Sequence, residues 1–262
     1  MSALRVTLVQ QPLAWHDAVA NRAQFTCLLA PLAGTTDLIV LPETFTTGFS
    51  MEVGKLAEGA DGPTVDWLKR QAAQLDAAIT GSVITLSTGR YYNRLLWVQP
   101  DGTVRHYDKR HLFRMASEHE HFTPGRAALT LAWRGLRICP LVCYDLRFPV
   151  FSRRRVELDY DLLLYVANWP AARADAWQAL LRARAIENQA YVVAVNRTGV
   201  DGLQISYSGG SVALDFLGRP LVQLGAAPLI ATATYPLEPL AAFREKFPAH
   251  LDADRFALNE DE

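Results

Sequence analysis

Short apolar runs recur along the whole chain, and they limit the folds that it can adopt more than any other feature. Seven of them, in chain order, are LRVTLVQ, DLIVLPE, AAITGSVI, RLLWVQ, LRICPLVC, DLLLYVAN and YVVAVN. Their aliphatic and β-branched residues are nearly continuous, which is typical of strands buried on both faces. The sequence therefore predicts a core built on buried strands.

Stretches with a helical period lie between some of these runs. Apolar side chains recur every three or four residues over 25–32 and again over 68–79, where Pro63 is well placed to open the helix. A third helix begins near Trp177, and Arg184 breaks its apolar stripe. We expect this helix either to end there against polar partners or to face another subunit.

Turn signals indicate hairpins as well. PDGT at 100–103 separates two strand-like runs, and SGGS at 208–211 and FLGRP at 216–220 mark a further meander. Helices mixed with hairpins predict α+β layers rather than a purely parallel sheet. No linker or low-complexity tract divides the chain, so residues 1–262 are predicted to form a single domain.

Composition narrows the possible functions. Of the 262 residues 50% are hydrophobic and 20% are charged, and the net charge of −1 argues against a dedicated binder of nucleic acid or of membrane surfaces. The three cysteines, Cys27, Cys139 and Cys143, are too few for a disulfide framework. The first residues enter a strand directly, and no apolar run is long enough to span a membrane. We expect a soluble, cytoplasmic protein.

Polar side chains follow three of the strand-like runs at the point where each run ends. They are Glu43, Cys143 and Asn168. Ligands of α/β sheets tend to bind at such carboxyl ends. Cys143 is either a small core hydrophobe or a nucleophile, and Glu43 is either a solvated strand-end carboxylate or a general base.

Two of these segments are similar to each other. TTDLIVLPE (35–43) and DYDLLLYVAN (159–168) share an aspartate, an aliphatic run and a polar residue at the strand end. One interpretation is that any two buried strands look alike. The other is that two related half-sheets face each other, with both strand ends in one crevice.

A nucleophilic cysteine needs a neighbour that activates it. Histidine is the usual partner, but no histidine of this chain lies in a sequence context that singles it out. Lys109 lies between a strand-like run and the apolar Leu112 and Phe113, and it is either a solvated lysine or a buried one with a partner. Beside a thiolate and a carboxylate, a lysine lowers the pKa of the cysteine and stabilises an oxyanion.

The segment EHEH at 118–121 raises the question of a metal. Zinc needs three or four converging ligands, and no further ligand set stands out in the sequence. We therefore predict no metal site. The remaining interpretations of EHEH are a loop of solvated charges or a second glutamate of the same site.

Taken together, these segments resemble the nitrilase (carbon–nitrogen hydrolase) superfamily. The superfamily is marked by a glutamate, a lysine and a cysteine in that order, which here are Glu43 in VLPETF, Lys109 in YDKRHLF and Cys143 in LVCYDLRFP. The resemblance extends through 167–199 and the tail segment 243–248. CYDLRFP and the NWP segment are most similar to the ω-amidase branch.

The resemblance also implies a second glutamate a few residues before a Pro-Gly. Counting back from Pro124-Gly125 selects Glu118 rather than Glu120. The segment RMASEHEHF is shorter here than in many relatives, so the assignment of Glu118 rests on fewer matching positions than the other three.

Fold, assembly and activity follow from the resemblance as expectations. It implies an αββα four-layer sandwich and homodimers joined through helices, with a C-terminal tail (about 240–262) that crosses to the partner. It also implies a thiol amidohydrolase with no cofactor, which cleaves the terminal amide of 2-oxo dicarboxylic acid monoamides through a Cys143 thioester. Glu43 is then the base, Lys109 the cation that steadies negative charge, and Glu118 a residue that orients Lys109 or the substrate.

Such a substrate is a small molecule with a free carboxylate, for which arginine provides a two-pronged partner. Arg147 and Arg173 follow shortly after the strand ends and are either ordinary surface charges or substrate ligands. The resemblance favours a ligand role for at least one of them, with Tyr144 and Trp169 as apolar walls.

Other functions stay open at this point. Within the superfamily, a nitrile hydrolase, an N-carbamoyl hydrolase or a deaminated-glutathione amidase would use the same three residues. A non-catalytic binding module on the same fold is an alternative from another class. A papain-like protease would need a catalytic histidine, and none is marked in the sequence.

Overall fold

A computed structural model describes residues 3–258 of the chain. The strands are Ala3–Gln10 (β1), Leu38–Val40 (β2), Glu58–Gly59 (β3), Ala78–Ser87 (β4), Arg90–Val98 (β5), Val104–Asp108 (β6), Leu131–Trp133 (β7), Leu136–Val142 (β8), Leu162–Ala167 (β9), Tyr191–Asn196 (β10), Thr198–Val200 (β11), Ser206–Ser208 (β12), Val212–Leu214 (β13), Pro220–Gln223 (β14) and Leu229–Pro236 (β15). The α-helices are Ala18–Leu29 (α1), Val53–Leu56 (α2), Pro63–Leu75 (α3), Glu118–His121 (α4), Pro149–Ser152 (α5), Ala174–Asn188 (α6) and Leu237–Lys246 (α7). Five 3-10 helices complete the list, at Ala30–Leu32, Arg114–Ala116, Cys143–Arg147, Ala171–Arg173 and Ala249–Leu251.

Two large sheets organise these strands. The first has the order β15-β1-β2-β4-β5-β6, with β3 beside β4, and the second has the order β14-β13-β10-β9-β8-β7. The inner strands of both sheets are parallel, as in the pairs β1–β2, β2–β4, β8–β9 and β9–β10. All seven apolar runs form strands of these sheets, which confirms that prediction.

The layers follow from the direction in which each strand points its side chains. Leu4, Val6 and Leu8 of β1 share one core cluster with residues of the second sheet, whereas Val9 belongs to the cluster that contains α1 and α3. On the far side of the second sheet, α6 buries Trp177 and other apolar residues against the strands. Helices therefore cover the outer face of each sheet, and the expected αββα sandwich is confirmed.

Two helix boundaries differ from the sequence-based expectation. The second predicted helix, α3, ends at Leu75 because Asp76 adopts a left-handed conformation with φ 50°, and Ile79 lies in β4 instead. The third, α6, continues past Arg184 to Asn188. The buried Arg184 guanidinium donates to the carbonyl of Leu146 at 2.6 Å and to Glu187 Oε1 at 2.9 Å, so polar groups of the same chain pair its two terminal nitrogens without ending the helix.

The hairpin predictions are confirmed in two of three cases. PDGT joins β5 to β6, with Val98 opposite Val104, and FLGRP joins β13 to β14. SGGS does not join neighbouring strands of one sheet. It leads from β12, which pairs with β11 in a small separate sheet, to β13 in the second large sheet.

The C-terminal segment packs on its own chain through α7, and Leu258 beyond it packs against the main core cluster. Leu240 is fully buried, and the Arg244 guanidinium donates to Asp161 Oδ1 at 2.7 Å and to the carbonyl of Gln189 at 2.9 Å. Residues 259–262 of the predicted crossing tail lie outside the described residues. Within residues 3–258, no helix is long and apolar enough to span a bilayer.

Candidate active site

Glu43 is the first of the predicted site residues, and its side chain is fully buried three residues after β2. The backbone N–H of Asn168, directly after β9, donates to Glu43 Oε2 at 2.7 Å. The Asn168 side chain donates to the Glu43 carbonyl oxygen at 2.7 Å and to Thr44 Oγ1 at 2.9 Å. The strand ends of the two sheets therefore meet in one crevice, as the second interpretation of the two similar segments expected.

Lys109 follows β6 directly and points its ammonium into the same crevice. Its Nζ lies 3.0 Å from Glu43 Oε1, and 3.0 Å and 2.9 Å from the two carboxylate oxygens of Glu118. The Lys109 side chain is only 1% exposed, so the solvated alternative is wrong and the lysine is buried with two acidic partners. Its backbone N–H donates to the carbonyl of Asn93 on β5, which fixes where the side chain starts.

Glu118 opens the one-turn helix α4, so EHEH is not a loop of solvated charges throughout. The Glu118 side chain is fully buried and accepts a further hydrogen bond from the backbone N–H of Phe113 at 2.6 Å. Glu120 points away from the site and its side chain is 62% exposed. Of the two glutamates, only Glu118 therefore contacts Lys109.

Cys143 lies on a sharp turn between β8 and the 3-10 helix that follows it. Its φ of 43° is in the left-handed region, which is rare for a residue other than glycine. The buried carboxylate of Asp145 holds this turn, because it accepts from the backbone N–H of Val142 at 3.0 Å and from the Tyr107 hydroxyl at 2.8 Å. Cys143 is partly exposed, whereas Cys139 on the same strand is fully buried in the core.

The electrostatics of the crevice keep the Cys143 thiol protonated at rest. Burial raises the pKa of this thiol well above its usual value, and the nearby Glu43 carboxylate raises it further. The positive charge of Lys109 lowers the pKa of the thiol, as the sequence suggested, but its effect is smaller than the combined effect of burial and Glu43. A preformed thiolate is therefore absent, and the sulfur has to lose its proton as it attacks.

The pKa values of Lys109 and Glu118 depend on each other's charge. Burial alone lowers the pKa of Lys109, but the charges of Glu118 and Glu43 outweigh burial and raise it above the usual value of a lysine. Burial raises the pKa of Glu118, and Lys109 opposes that shift while Glu43 adds to it. The ammonium is thus charged at neutral pH.

Histidine has no part in this cluster. His111 donates through its backbone N–H to Asp145 at 3.0 Å, its Nδ1 lies 2.7 Å from the same carboxylate, and its ring stacks on Phe148. No histidine lines the crevice in the part of the chain that the structure describes. The cysteine–histidine arrangement of a papain-like protease is therefore wrong for this chain.

Metal-ligand geometry is also missing from the described residues. Between residues 3 and 258, no three side chains of histidine, cysteine, aspartate or glutamate converge in a way that could hold a metal ion.

A pocket of about 290 Å³ opens above the cluster. Its floor contains the buried Glu43, Lys109 and Asn168, and its upper part is mostly apolar. The remaining lining residues are Phe49, Met51, Phe113, Met115, Ala116, Cys143, Tyr144, Arg147, Trp169, Pro170, Arg173, Leu203, Ile205 and Tyr207. Its size suits a small molecule.

All four predicted substrate-binding residues line this pocket. The Arg147 guanidinium lies 4.9 Å from the centre of the Trp169 ring, and that of Arg173 lies 5.3 Å from the centre of the Phe113 ring. Tyr144 packs edge-on against Phe113. Neither guanidinium forms a hydrogen bond or an ion pair with residues 3–258, so both cations are uncommitted.

Two parts of the site were not predicted from the sequence. Asn93 on β5 bridges Glu43 and Glu118, and its sequence context between Tyr92 and Arg94 did not distinguish it. The hairpin of β11 and β12 supplies Leu203, Ile205 and Tyr207 to the pocket wall. Its sequence resembles any surface hairpin, so nothing marked it as part of a site.

The arrangement defines a class of protein. A thiol flanked by a carboxylate and an ammonium, without histidine, is equipped for covalent catalysis on an acyl carbon. A family model described as "Carbon-nitrogen hydrolase" matches residues 5–245. The chain belongs to the carbon–nitrogen hydrolase family of the nitrilase superfamily, which confirms the resemblance.

Individual relatives agree with this assignment. The chain is 53% identical to the omega-amidase YafV of Yersinia enterocolitica, over 98% of this chain and 100% of that protein. It is 34% identical to the 2-oxoglutaramate amidase of Bacillus subtilis, over 82% of this chain and 84% of that one. Among solved structures, a CN-hydrolase superfamily protein from Xanthomonas campestris with an arsenic adduct in its active site is 55% identical, with a TM-score of 0.97 over 99% of this chain and 100% of that chain.

Proposed function

We propose that this protein is an ω-amidase, which hydrolyses the terminal amide of 2-oxo dicarboxylic acid monoamides such as 2-oxoglutaramate and 2-oxosuccinamate and releases ammonia. One observation carries the proposal: Cys143, Glu43 and Lys109 share the floor of a pocket whose wall holds two uncommitted arginines. The relatives that are named omega-amidase and 2-oxoglutaramate amidase support the same substrate class.

The first half of the reaction transfers the acyl group to sulfur. Glu43 takes the thiol proton while Cys143 attacks the amide carbon, so a carbon–sulfur bond forms as the carbonyl becomes an oxyanion. The protonated Glu43 then gives its proton to the amide nitrogen. The carbon–nitrogen bond breaks, ammonia leaves and a thioester remains. The raised pKa of the Cys143 thiol makes the neighbouring base necessary for this step.

Two donors stabilise the oxyanion. The Lys109 ammonium remains charged, and it lies beside the nucleophile because Glu43 and Glu118 hold it there. The N–H of Tyr144 belongs to the first turn of a 3-10 helix, where N–H groups have no acceptor within the helix. Loss of one such donor typically costs a factor of about 10²–10³ in rate.

The second half of the reaction regenerates the thiol. Glu43 takes a proton from a water molecule, the water oxygen adds to the thioester carbon, and the carbon–sulfur bond breaks as the sulfur regains its proton. Glu118 contacts Lys109 rather than the nucleophile, so its role is to orient the lysine through both carboxylate oxygens. No step requires a metal or an organic cofactor.

The far carboxylate of the substrate is the ligand of an arginine. Arg147 and Arg173 project from different segments into the same pocket, and each rests on an aromatic ring rather than on an acidic residue. An arginine without an acidic partner has a guanidinium fork available for a carboxylate. Tyr144 and Trp169 are the apolar walls along the carbon chain.

A homodimer is part of the proposal. Four exposed apolar side chains, Val150, Val156, Ile186 and Phe247, are between 51% and 92% accessible in the isolated chain. Their segments are neighbours, since Gln189 after α6 donates to the carbonyl of Phe247 at 2.7 Å and the guanidinium of Arg153, between Val150 and Val156, donates to the carbonyl of Glu187 at 3.2 Å. Burial of this surface between two copies would remove these side chains from water.

We further propose that the protein is cytoplasmic, since none of its three cysteines is paired.

Ammonia release from matched acidic and neutral amides tests the proposal. We expect 2-oxoglutaramate and 2-oxosuccinamate to be hydrolysed at least about 100-fold faster than neutral amides or nitriles of similar length, because a buried charge pair is strongly sensitive to loss of one partner. Equal rates on acidic and neutral amides would contradict the ω-amidase assignment. A preference for nitriles or N-carbamoyl compounds would point to another branch of the family.

A further inference from the structure

Asn93 lies between the two buried carboxylates of the site and contacts both. It belongs to β5 and is 1% exposed. Its Nδ2 donates to Glu43 Oε1 at 2.8 Å and to Glu118 Oε1 at 3.3 Å. Lys109 Nζ donates to the same two oxygens, each at 3.0 Å. The carboxylates are thus bridged twice, once by a cation and once by a neutral amide.

The neutral bridge solves an electrostatic problem. Two carboxylates beside one ammonium leave a negative charge uncompensated, and a nearby like charge favours protonation. A second cation would compensate the charge but would lower the basicity of Glu43 more than a neutral donor does. A hydrogen-bond donor without charge stabilises the ionised carboxylates and keeps them in place, while the Lys109 ammonium remains available to the oxyanion.

The amide group of Asn93 is such a neutral donor, but its own oxygen is left without a hydrogen bond from the described residues. Its Oδ1 is buried and has no hydrogen-bond partner among residues 3–258. An unpaired buried acceptor is destabilising, so an apolar residue of the same shape would suit the fold at least as well. The two donated hydrogen bonds are therefore what the side chain contributes.

We propose that Asn93 is a positioning residue that holds the Glu43 carboxylate ready to take the Cys143 proton and keeps Glu118 against Lys109. This inference rests on the proposed function, because it concerns the same site. The backbone carbonyl of Asn93 separately accepts from the Lys109 N–H at 3.0 Å. A change of the side chain leaves that backbone bond intact, so it removes only the amide bridge.

The charged and titratable groups around Glu43 come from four other segments. They are Lys109 after β6, Glu118 in α4, Cys143 after β8 and Tyr207 in β12. None of them lies on β5. A change in pH dependence on substitution of Asn93 therefore reports the lost amide bridge rather than the loss of a titrating side chain.

The test compares Asn93→Leu with Asn188→Leu, which removes a buried asparagine amide at the end of α6 that donates to the carbonyl of Arg184. With 2-oxoglutaramate we expect Asn93→Leu to lower kcat about 10–100-fold with little change in KM, the usual effect of losing a hydrogen bond to a charged group. The acidic limb of its kcat profile should move to higher pH, because a carboxylate that loses a donor is protonated at higher pH. Asn188→Leu should lower only the melting temperature.

Each other outcome has a clear meaning. A folded Asn93→Leu variant with the kcat and the acidic limb of the wild type overturns the inference, as does a loss of melting temperature alone. If Asn93→Leu does not fold, Asn93→Ser gives the same comparison, because its hydroxyl is one bond too short to bridge both carboxylates. A wild-type protein that releases no ammonia from any amide contradicts the proposed function instead.

Discussion

Asn168 holds Glu43 by two separate parts of the residue. The Asn168 backbone N–H donates to the Glu43 carboxylate, and its side-chain amide donates to the Glu43 main-chain carbonyl, both at 2.7 Å. Glu43 follows a strand of the first sheet and Asn168 follows a strand of the second. The contact therefore fixes the proposed base relative to both sheets at once.

Substitution of Asn168 by alanine tests the value of this contact. Asn168→Ala keeps the backbone hydrogen bond but removes the side-chain bonds to the Glu43 carbonyl and to Thr44. Two such bonds are worth about 2 kcal/mol together, so we expect kcat to fall roughly 10–50-fold. Ammonia release from 2-oxoglutaramate measures the effect, with Asn188→Ala as a control distant from the pocket. An unchanged kcat would mean that the backbone bond alone holds Glu43.

Cys143 is the proposed nucleophile, and Cys143→Ala should abolish turnover. The fold should survive, because the side chain is partly exposed and its truncation leaves only a small cavity. Mass spectrometry of the wild type mixed with substrate should detect an acyl adduct on this residue, which the alanine variant cannot form. Cys27→Ala, at an exposed position on α1, is the matched control. Full activity of Cys143→Ala would refute thioester chemistry.

Glu43→Gln is nearly isosteric and removes only the proton acceptor. We expect a loss of several orders of magnitude in kcat, since the thiol is protonated at rest and the second carboxylate, Glu118, is held by Lys109. The measurement is kcat for folded protein, checked by thermal melting. His106→Ala, on the exposed side of β6, should retain activity. The opposite pattern, an active Glu43→Gln and an inactive histidine variant, would indicate a cysteine–histidine mechanism.

The two pocket arginines are expected to discriminate between substrates. Replacement of the arginine that binds the carboxylate by lysine keeps the charge but loses the two-pronged fork. Arg147→Lys or Arg173→Lys should therefore slow the acidic amides about 10-fold or more and spare a neutral amide of equal length. Arg105→Lys, at an exposed position of β6, controls for the change of residue type. Identical slowing of acidic and neutral amides would mean that the arginine only supports the pocket wall.

Cys139 predicts how stability depends on alkaline pH. Burial, aided by the charge of Asp145, raises the pKa of this thiol to about 12 in the folded protein. Its pKa in the unfolded chain is lower, so the unfolded state loses its proton first. The stability that the neutral thiol contributes is present below about pH 8.5 and falls as the pH rises towards the folded-state pKa.

Urea unfolding across this pH range measures the effect of Cys139. Cys139→Ala should make the free energy of unfolding less dependent on pH between about pH 9 and 12. Cys27→Ala should leave the slope unchanged. A slope that is the same in all three proteins would show that buried tyrosines alone cause the alkaline loss.

Much of the fold could be predicted because its signals are local. Each buried strand is a continuous apolar run, and the PDGT turn lies between the strands that it joins. One departure from a local pattern depends on a long-range contact. Arg184 breaks the apolar stripe of its helix. The helix continues because the carbonyl of Leu146, which is distant in sequence, accepts a hydrogen bond from the Arg184 guanidinium.

The candidate site divides in the same way. The order of Glu43, Lys109 and Cys143 identified the family. Pro124-Gly125, which follows the EHEH segment, selected Glu118 rather than Glu120. Asn93, between the two carboxylates, could not be recognised from the sequence, because a single polar residue in a strand forms no periodic pattern. Its function depends on which side chains of other segments lie above it.

The sequence by itself determined the buried strands, the αββα class through its resemblance, and the residue types available for chemistry. Only the tertiary structure decided which of them meet, as when Glu43 and Asn168, which are 125 positions apart, are joined by the packing of two sheets. It also decided the protonation of the thiol, because burial and the Glu43 charge outweigh the nearby lysine. Burial and distance between segments are properties of the folded chain, and they set the energy of every charge in the pocket.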